Sequence, residues 1–486
     1  LLPAKADALD SAVLKQKRSI EVYLPEESAK EPAQRYETLY VLDGDWNAKI
    51  VVDTVTFMRK VGFLPPVIVV SVPNFFDEHG VNSRDHDLTP TVVSDQPRSG
   101  GAADFLAFLK TELIPYVNQH YPTSGVNLIH GHSFGGLFLF YVLMNDPSVF
   151  DGYLILDPAM WWDKHALDAL IDDKLPALPS KGKAIYIAAR SGRAFEGMGM
   201  STIEPIFKRK APADLHWSVS VYANETHDSL KLKGTYDALK FAYQGYTADT
   251  IELMPSAGIV IKGKPMLVGI NGDALDLHLD LHYTTDGTVP NASSPKYDGS
   301  IAMADPEKTT VKLFSNRGTF DRVVPHRLKS GKALAPARAA NGKNDAWHVA
   351  YYPAEAWPNL KRAKPFKSVD VDKDLDFAEA GRDSFAGTVE RNLDIPADGY
   401  YVVGVFMRDK ARVSLTGLQL FDHDGSHGGY QQGFVVPLRR GTYPVRVEFQ
   451  HASKTSDFGL IVFQCKDGEP EWWKNELFKL FGRTHD

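Results

Sequence analysis

Cysteine is almost missing from this chain: one residue, Cys465, in 486. A lone thiol can make neither an intrachain disulfide nor a multi-cysteine metal site. Its place at the end of the apolar run Leu460-Ile461-Val462-Phe463-Gln464 marks it as a strand-core thiol. Long apolar runs are missing too. No uninterrupted stretch of about 18 apolar residues occurs, so the sequence offers no helix that spans a membrane. Runs of Lys and Arg are absent and the net charge is -7, which argues against a nucleic-acid-binding surface or a polyanionic substrate. An initiator Met is absent as well: the chain starts at Leu1. The expectation is a removed signal peptide or a trimmed sequence, and with the first a secreted or periplasmic protein.

What is present is the composition of folded protein, with 43% hydrophobic and 11% aromatic residues. At about 100–200 residues per domain, the length predicts about two to four domains. Residues 1–247 alternate short apolar runs with helical stretches. The runs are 19–24, 38–42, 67–72, 126–129, 153–156, 185–188 and 217–221. Helical spacing appears over 104–117 and 235–245. Continuous apolar runs separated by helices predict a parallel sheet covered on both faces. After about residue 248 the alternation becomes β-type, with turns at Asp286-Gly287, Asp298-Gly299, Asp398-Gly399, Asp424-Gly425 and Arg440-Gly441. Residues 330–346 look like a linker. The expected division is an α/β domain over 1–250, a small β-sandwich over 251–330, and a larger β-sandwich over 345–486 that ends in an amphipathic helix over 471–480.

One motif carries chemistry. Gly131-His132-Ser133-Phe134-Gly135 follows the run 126–129 and precedes a helical stretch over 135–143. A serine hydroxyl is a weak nucleophile and needs a base and an oxyanion site. A G-x-S-x-G turn between strand and helix presents the hydroxyl in a tight, strained elbow. Ser133 is therefore the expected nucleophile. His132 reads as the variable elbow position and His130 as the end of a buried strand. The base should come last in the order Ser, acid, His. His227, in Asn224-Glu-Thr-His-Asp-Ser229, follows the run 217–221 and precedes the final helix, whereas His216 lies at the wrong end of its strand. The acid should follow 185–188. Glu196 is the first carboxylate there, with Glu204, Asp214 and Glu225 as alternatives. The oxyanion donors should be the backbone N–H of Phe134 and that of Gly44 or Asp45. No cofactor and no metal site are expected.

These phrases resemble the esterase D-like family of α/β-hydrolases, which includes feruloyl, acetyl and siderophore esterases. The matching phrases are Leu42-Asp-Gly-Asp45, Ser83-Arg-Asp-His-Asp-Leu-Thr-Pro-Thr91, Gly131-His-Ser-Phe-Gly-Gly136, Asp157-Pro-Ala-Met-Trp-Trp-Asp163 and Asn224-Glu-Thr-His-Asp-Ser229. The resemblance implies Ser133 and His227 as nucleophile and base, and Glu196, through Phe195-Glu-Gly197, as the acid. At that point residues 190–194 are extra. It also implies that Arg84, Trp161 and Trp162 border the substrate pocket. Residues 255–328 resemble the chitobiase C-terminal β-domain through His282-Tyr-Thr-Thr-Asp-Gly-Thr-Val-Pro290. There His278 and His282 share a strand face, read as a surface pair rather than a metal site. Residues 347–465 resemble a PA14-type β-sandwich, some relatives of which bind glycans. Its paired-aspartate calcium signature is missing, because His423 separates Asp422 from Asp424.

The expectation is therefore a serine carboxylic ester hydrolase with a small-molecule or polysaccharide ester substrate. Its leading form deacylates carbohydrate esters carrying acetyl or feruloyl-type groups, with glycan binding by the C-terminal domain. The rivals are a siderophore or lactone esterase and, from another class, a non-catalytic glycan-binding surface protein.

Overall fold

The computed structural model describes residues 1–248, 251–271, 279–337, 346–371, 377–407, 410–423, 432–451 and 458–465. The expected helix over 471–480, His278, the Asp424-Gly425 turn and residues 338–345 of the linker lie outside the described residues. The chain folds as two compact units, residues 1–250 with 314–321, and residues 251–313 with 322–486.

The first unit is built on eight strands: β1 (Lys5–Ser11), β2 (Gln16–Tyr23), β3 (Tyr36–Leu42), β4 (Val67–Val72), β5 (Thr123–His132), β6 (Gly152–Leu156), β7 (Ala184–Arg190) and β8 (His216–Tyr222). They lie in the order β1-β2-β4-β3-β5-β6-β7-β8. β1 pairs antiparallel with β2, and β2 with β4; from β4 to β8 all pairings are parallel. The continuous apolar runs have a direct cause. Successive side chains point to opposite faces, and both faces are covered. Tyr40, Leu42, Ile68, Val70 and Ile129 enter one core, while Leu39, Val41, Val67, Val69 and Leu128 enter the other. This is the expected α/β-hydrolase architecture.

The helical stretch expected over 104–117 is three contiguous segments, Ala102–Phe108, a wider π-type turn Leu109–Leu113, and Ile114–His120. The helix after the elbow, Phe134–Asn145, is apolar nearly all round and buried in almost every residue, as a helix enclosed by a large core must be. Parallel strands bring their carboxyl ends to one edge of the sheet. There the chain places Asp43, Ser133, Asp157, Arg190 and the loop that follows β8, the edge at which α/β sites assemble.

The second unit is β-rich. Its six-stranded sheet runs Lys367–Val371, Trp347–Tyr352, Phe385–Ile395, Gly441–His451, Lys410–Leu415, Leu418–His423. A five-stranded sheet runs Arg327–Gly331, Ala257–Ile261, Gln432–Leu438, Gly399–Met407, Phe458–Gln464. The second sheet crosses the boundary expected near residues 330–345. The strand Ala257–Ile261 pairs in parallel with Arg327–Gly331 on one side and with Gln432–Leu438 on the other, so residues from both expected β-domains share a sheet and a core. Alternation identified these strands but said nothing of which partner each would take.

Candidate active site

The elbow comes first. Ser133 adopts φ 60 and ψ -116, a positive-φ conformation that costs an L-residue about 1–3 kcal/mol and persists only where the surroundings over-determine it. Here Ser133 N–H donates to the Leu156 carbonyl at 3.0 Å, and the Ser133 carbonyl accepts from Leu137 at 3.0 Å and Ala159 at 3.1 Å. The glycines admit this turn. A Cβ on Gly131 would lie 2.6 Å from the Gly135 carbonyl carbon and oxygen, and one on Gly136 would lie 2.9 Å from Pro158 Cβ. Ser133 is half-buried.

His227 lies in the loop between β8 and the helix Leu230–Ala242. Its Nδ1 donates to Asp157 Oδ2 at 2.6 Å. That fixes the tautomer, leaving Nε2 as the basic nitrogen. Asp157 directly follows β6, with φ 41, and is 1% exposed. The same Oδ2 accepts Arg190 Nε at 2.5 Å. Burial pushes the Asp157 carboxyl up, but the hydrogen bonds from His227 and Arg190 outweigh it and hold it below the usual carboxylate range. No hydrogen bond joins Ser133 to His227 among the described residues, as is common before substrate tightens a site.

Two further histidines lie beside His227. His132 Nε2 donates to the His227 carbonyl at 2.8 Å, and the two rings lie 4.2 Å apart. Burial, with the nearby His227 and Lys231, pushes His132 down to about 3. His130 meets Thr235 Oγ1 at 2.9 Å, and burial pushes it down to about 4. Both stay neutral at physiological pH. His132, Asp157 and His227 present ligand atoms within 4.8 Å of one another, a spacing that a metal would also accept. The hydrogen bond between His227 and Asp157 already occupies one atom of each.

Glu196, the expected acid, is not the carboxylate bonded to His227. It sits exposed on the short helix Arg193–Gly197, and no hydrogen bond or ion pair links its side chain to His227 among the described residues. Of its alternatives, Glu204 pairs with Lys208 at 2.7 Å, Glu225 accepts from Ser229 Oγ at 2.5 Å, and Asp214 is exposed. The carboxylate that meets His227 comes from the end of β6, one strand earlier than the expected position. The available signal was an Asp-Pro step closing a buried apolar strand at the sheet's carboxyl edge, where an aspartate has no packing role.

The expected oxyanion donors stand at two helix starts, where no intrahelical carbonyl is available to them. Phe134 opens Phe134–Asn145, and Asp45 is the second residue of Gly44–Lys60. A Cβ on Gly135 would be 3.6 Å from Asp43 Oδ2 and 3.8 Å from Leu42 Cβ, so the elbow lies against the end of β3. Asp45 Oδ1 accepts from Asn74 Nδ2 at 2.9 Å.

Arg84 pairs with neither Asp85 nor Asp87. It grips buried Asp43 with two bonds, Nε to Oδ1 at 2.8 Å and an Nη to Oδ2 at 3.0 Å. Its guanidinium carbon lies 5.0 Å from the Phe134 ring and 5.3 Å from Trp46. Trp161 is 43% exposed and lies 5.9 Å from Phe134. Trp162, expected to border the pocket, is instead core. It is 2% exposed, its Nε1 donates to Thr91 Oγ1 at 3.0 Å, and its ring meets Phe134 edge-on at 5.1 Å. Trp46, 51% exposed, is marked by no motif in the sequence. It follows Asp45, an expected oxyanion donor, and shares Arg84 with Phe134.

In the β-rich unit the outer face of the six-stranded sheet carries a groove of about 650 Å³. Arg412 and Arg446 line it with Glu390 and Glu448, as do Lys361 and Arg362. Arg446 pairs with Glu390 and, at 3.0 Å, with Glu448. No helix among the described residues is long and apolar enough to cross a membrane.

Residues 11–195 match the family described as "Putative esterase", and residues 276–319 match the chitobiase/β-hexosaminidase C-terminal domain. The chain is 31% identical over 160 residues to the siderophore enterobactin esterase of Emericella nidulans, covering 29% of this chain and 52% of that protein. It is 28% identical over 164 residues to the ferri-bacillibactin esterase BesA of Bacillus subtilis, covering 31% and 56%. Among solved structures, an IroE-like serine hydrolase from Shewanella oneidensis is 26% identical, with 49% of this chain and 79% of that chain covered and a TM-score of 0.45. The chain spans about half the length of the curated relatives it matches.

Proposed function

We propose, from the premise that residues 11–195 carry an esterase-family domain, that the protein is a serine ester hydrolase acting through an acyl-enzyme. The observation that carries this reading is the strained Ser133 elbow beside a histidine whose Nδ1 is bound to a buried carboxylate. Ser133 Oγ attacks the ester carbonyl while His227 Nε2 takes its proton. Asp157 holds the imidazole in its tautomer and stabilises the cation that forms. The Phe134 and Asp45 N–H groups receive the oxyanion. His227 returns the proton to the leaving alcohol, and water then releases the acyl group by the same steps.

For substrate, we favour a siderophore-type ester or lactone with aromatic acyl groups. The support is twofold. One curated relative is named a siderophore enterobactin esterase and another a ferri-bacillibactin esterase, and two exposed tryptophans lie close to the residues around the nucleophile, Trp46 at Arg84 and Trp161 at Phe134. Flat aromatic groups suit such surfaces. Deacylation of a carbohydrate ester is the second reading. The polar groove of the β-rich unit favours it, as a place for a glycan chain. A release assay separates them: a ferric catecholate trilactone set beside acetylated and feruloylated xylan. Preferential release from the trilactone supports the first reading, and preferential release from xylan replaces it with the second. Hydrolysis of neither, with p-nitrophenyl acetate also untouched, refutes the esterase reading.

A further inference from the structure

The carboxylate at the base has a second client. Arg190, the last residue of β7, places its Nε 2.5 Å from Asp157 Oδ2, the oxygen that also takes His227 Nδ1 at 2.6 Å. The other oxygen, Oδ1, is buried and has no hydrogen-bond partner among the described residues. One oxygen thus carries two donors while its twin carries none. A buried carboxylate is costly unless it is paired, and a neutral, protonated Asp157 could not stabilise an imidazolium. The backbone reinforces the arrangement. Asp157 N–H donates to the Ala188 carbonyl at 2.8 Å, and Ser191 N–H donates to the Tyr222 carbonyl at 3.0 Å. The backbone at Asp157 and directly after Arg190 is thus tied to a neighbouring strand.

We propose that Arg190 is a positioning residue of the active site: it keeps Asp157 ionised and fixes the rotamer that presents Oδ2 to His227. This rests on Ser133, His227 and Asp157 acting as proposed above. Arg190 makes no hydrogen bond to Ser133 or to the imidazole among the described residues, so its influence runs through Asp157. The charged and titratable groups around His227 are few. Asp157 comes from the end of β6, Arg190 from β7, and neutral His132 from β5. Asp228 and Lys231, on the loop and helix of His227 itself, pair with each other at 2.7 Å. Arg190 is the cation tied to the base's own partner. Its loss leaves the buried Asp157 carboxylate with the His227 bond alone, so Asp157 takes up a proton at a higher pH, and the pH at which activity is lost rises.

The test compares Arg190→Gln and Arg190→Lys with the unchanged chain and Ser133→Ala, using p-nitrophenyl acetate across pH 5–9. Arg190→Gln should lower kcat by about 10- to 100-fold with little change in KM, the scale on which a misplaced catalytic group acts. It should also move the acid limb of the kcat/KM profile up by about half a unit to one unit. Arg190→Lys, which restores the charge without the planar fork, should recover the limb and part of kcat. An unshifted limb overturns the proposal, whether kcat is unchanged or falls only in step with the melting temperature. Activity remaining in Ser133→Ala refutes the esterase reading instead, so the two failures are distinguishable.

Discussion

At the residue scale the site depends on which carboxylate faces His227. Asp157→Asn keeps the shape but removes the charge that stabilises the imidazolium, and kcat should fall by about 10³-fold or more. Glu196→Ala, at an exposed helix position, should leave kcat within about three-fold, the range of surface substitutions. Steady-state kinetics on p-nitrophenyl acetate checks both, and a large loss in Glu196→Ala would return the acid to the position expected from the sequence. The positions of Ser133 and His227, the proposed nucleophile and base, were legible because each occupies a phrase with one local geometry: an elbow between strand and helix, and a loop after the last strand. The carboxylate that meets His227 was not, because that contact depends on left-handed backbone at Asp157, directly after β6, which brings its carboxylate to the β8 loop. The buried histidines add a pH dependence. His130 and His132 are pushed from 6.5 to about 4 and about 3, so between those values and 6.5 the unfolded chain binds more protons than the folded one. Stability is therefore full above about pH 6.5 and is lost as pH falls toward about 4. Melting temperatures across that window should decline, and less steeply in His130→Gln.

At the element scale the elbow is a packing problem between β5 and the helix Phe134–Asn145. The two glycines of the motif differ. At Gly131 a Cβ would meet backbone atoms at 2.6 Å, whereas at Gly135 the nearest contacts are at 3.6 and 3.8 Å. Gly131→Ala should thus cost about 1–3 kcal/mol, as overpacking does, and most of the activity. Gly135→Ala should keep a near-normal denaturation midpoint. Urea unfolding of the pair decides it, and equal losses would mean that the motif's glycines serve the turn rather than the contact. The strands themselves were legible from their apolar runs. The fate of the tandem tryptophans was not. Sequence places Trp161 and Trp162 side by side, and only the packing of Trp162 against Phe134 and Thr91 separates a surface ring from a core ring.

At the scale of the whole molecule the α/β unit does not end where the texture of the sequence changes. Residues 314–321 belong with it. Arg317 pairs with Glu37, both side chains being nearly buried, and lies 4.9 Å from the Tyr243 ring. Phe320 packs on Tyr243 and Tyr246. Breaking a buried pair by removing one partner costs about 3–5 kcal/mol. Arg317→Ala should therefore lower the denaturation midpoint markedly, and Glu37→Gln added to it should restore part of the loss. A chain cut near residue 250 should be destabilised in the same way, and one that unfolds at the full-length midpoint would show that the segment is dispensable. Composition could not reveal this, because a short excursion from a β-rich stretch leaves no periodic signal.

The most direct test of the account is the acyl-enzyme itself. Incubation with a slowly turned-over aromatic ester, followed by peptide mass spectrometry, should find the acyl group on Ser133 alone and find none on Ser133→Ala. Acylation of another residue, or turnover that persists in Ser133→Ala, would contradict it.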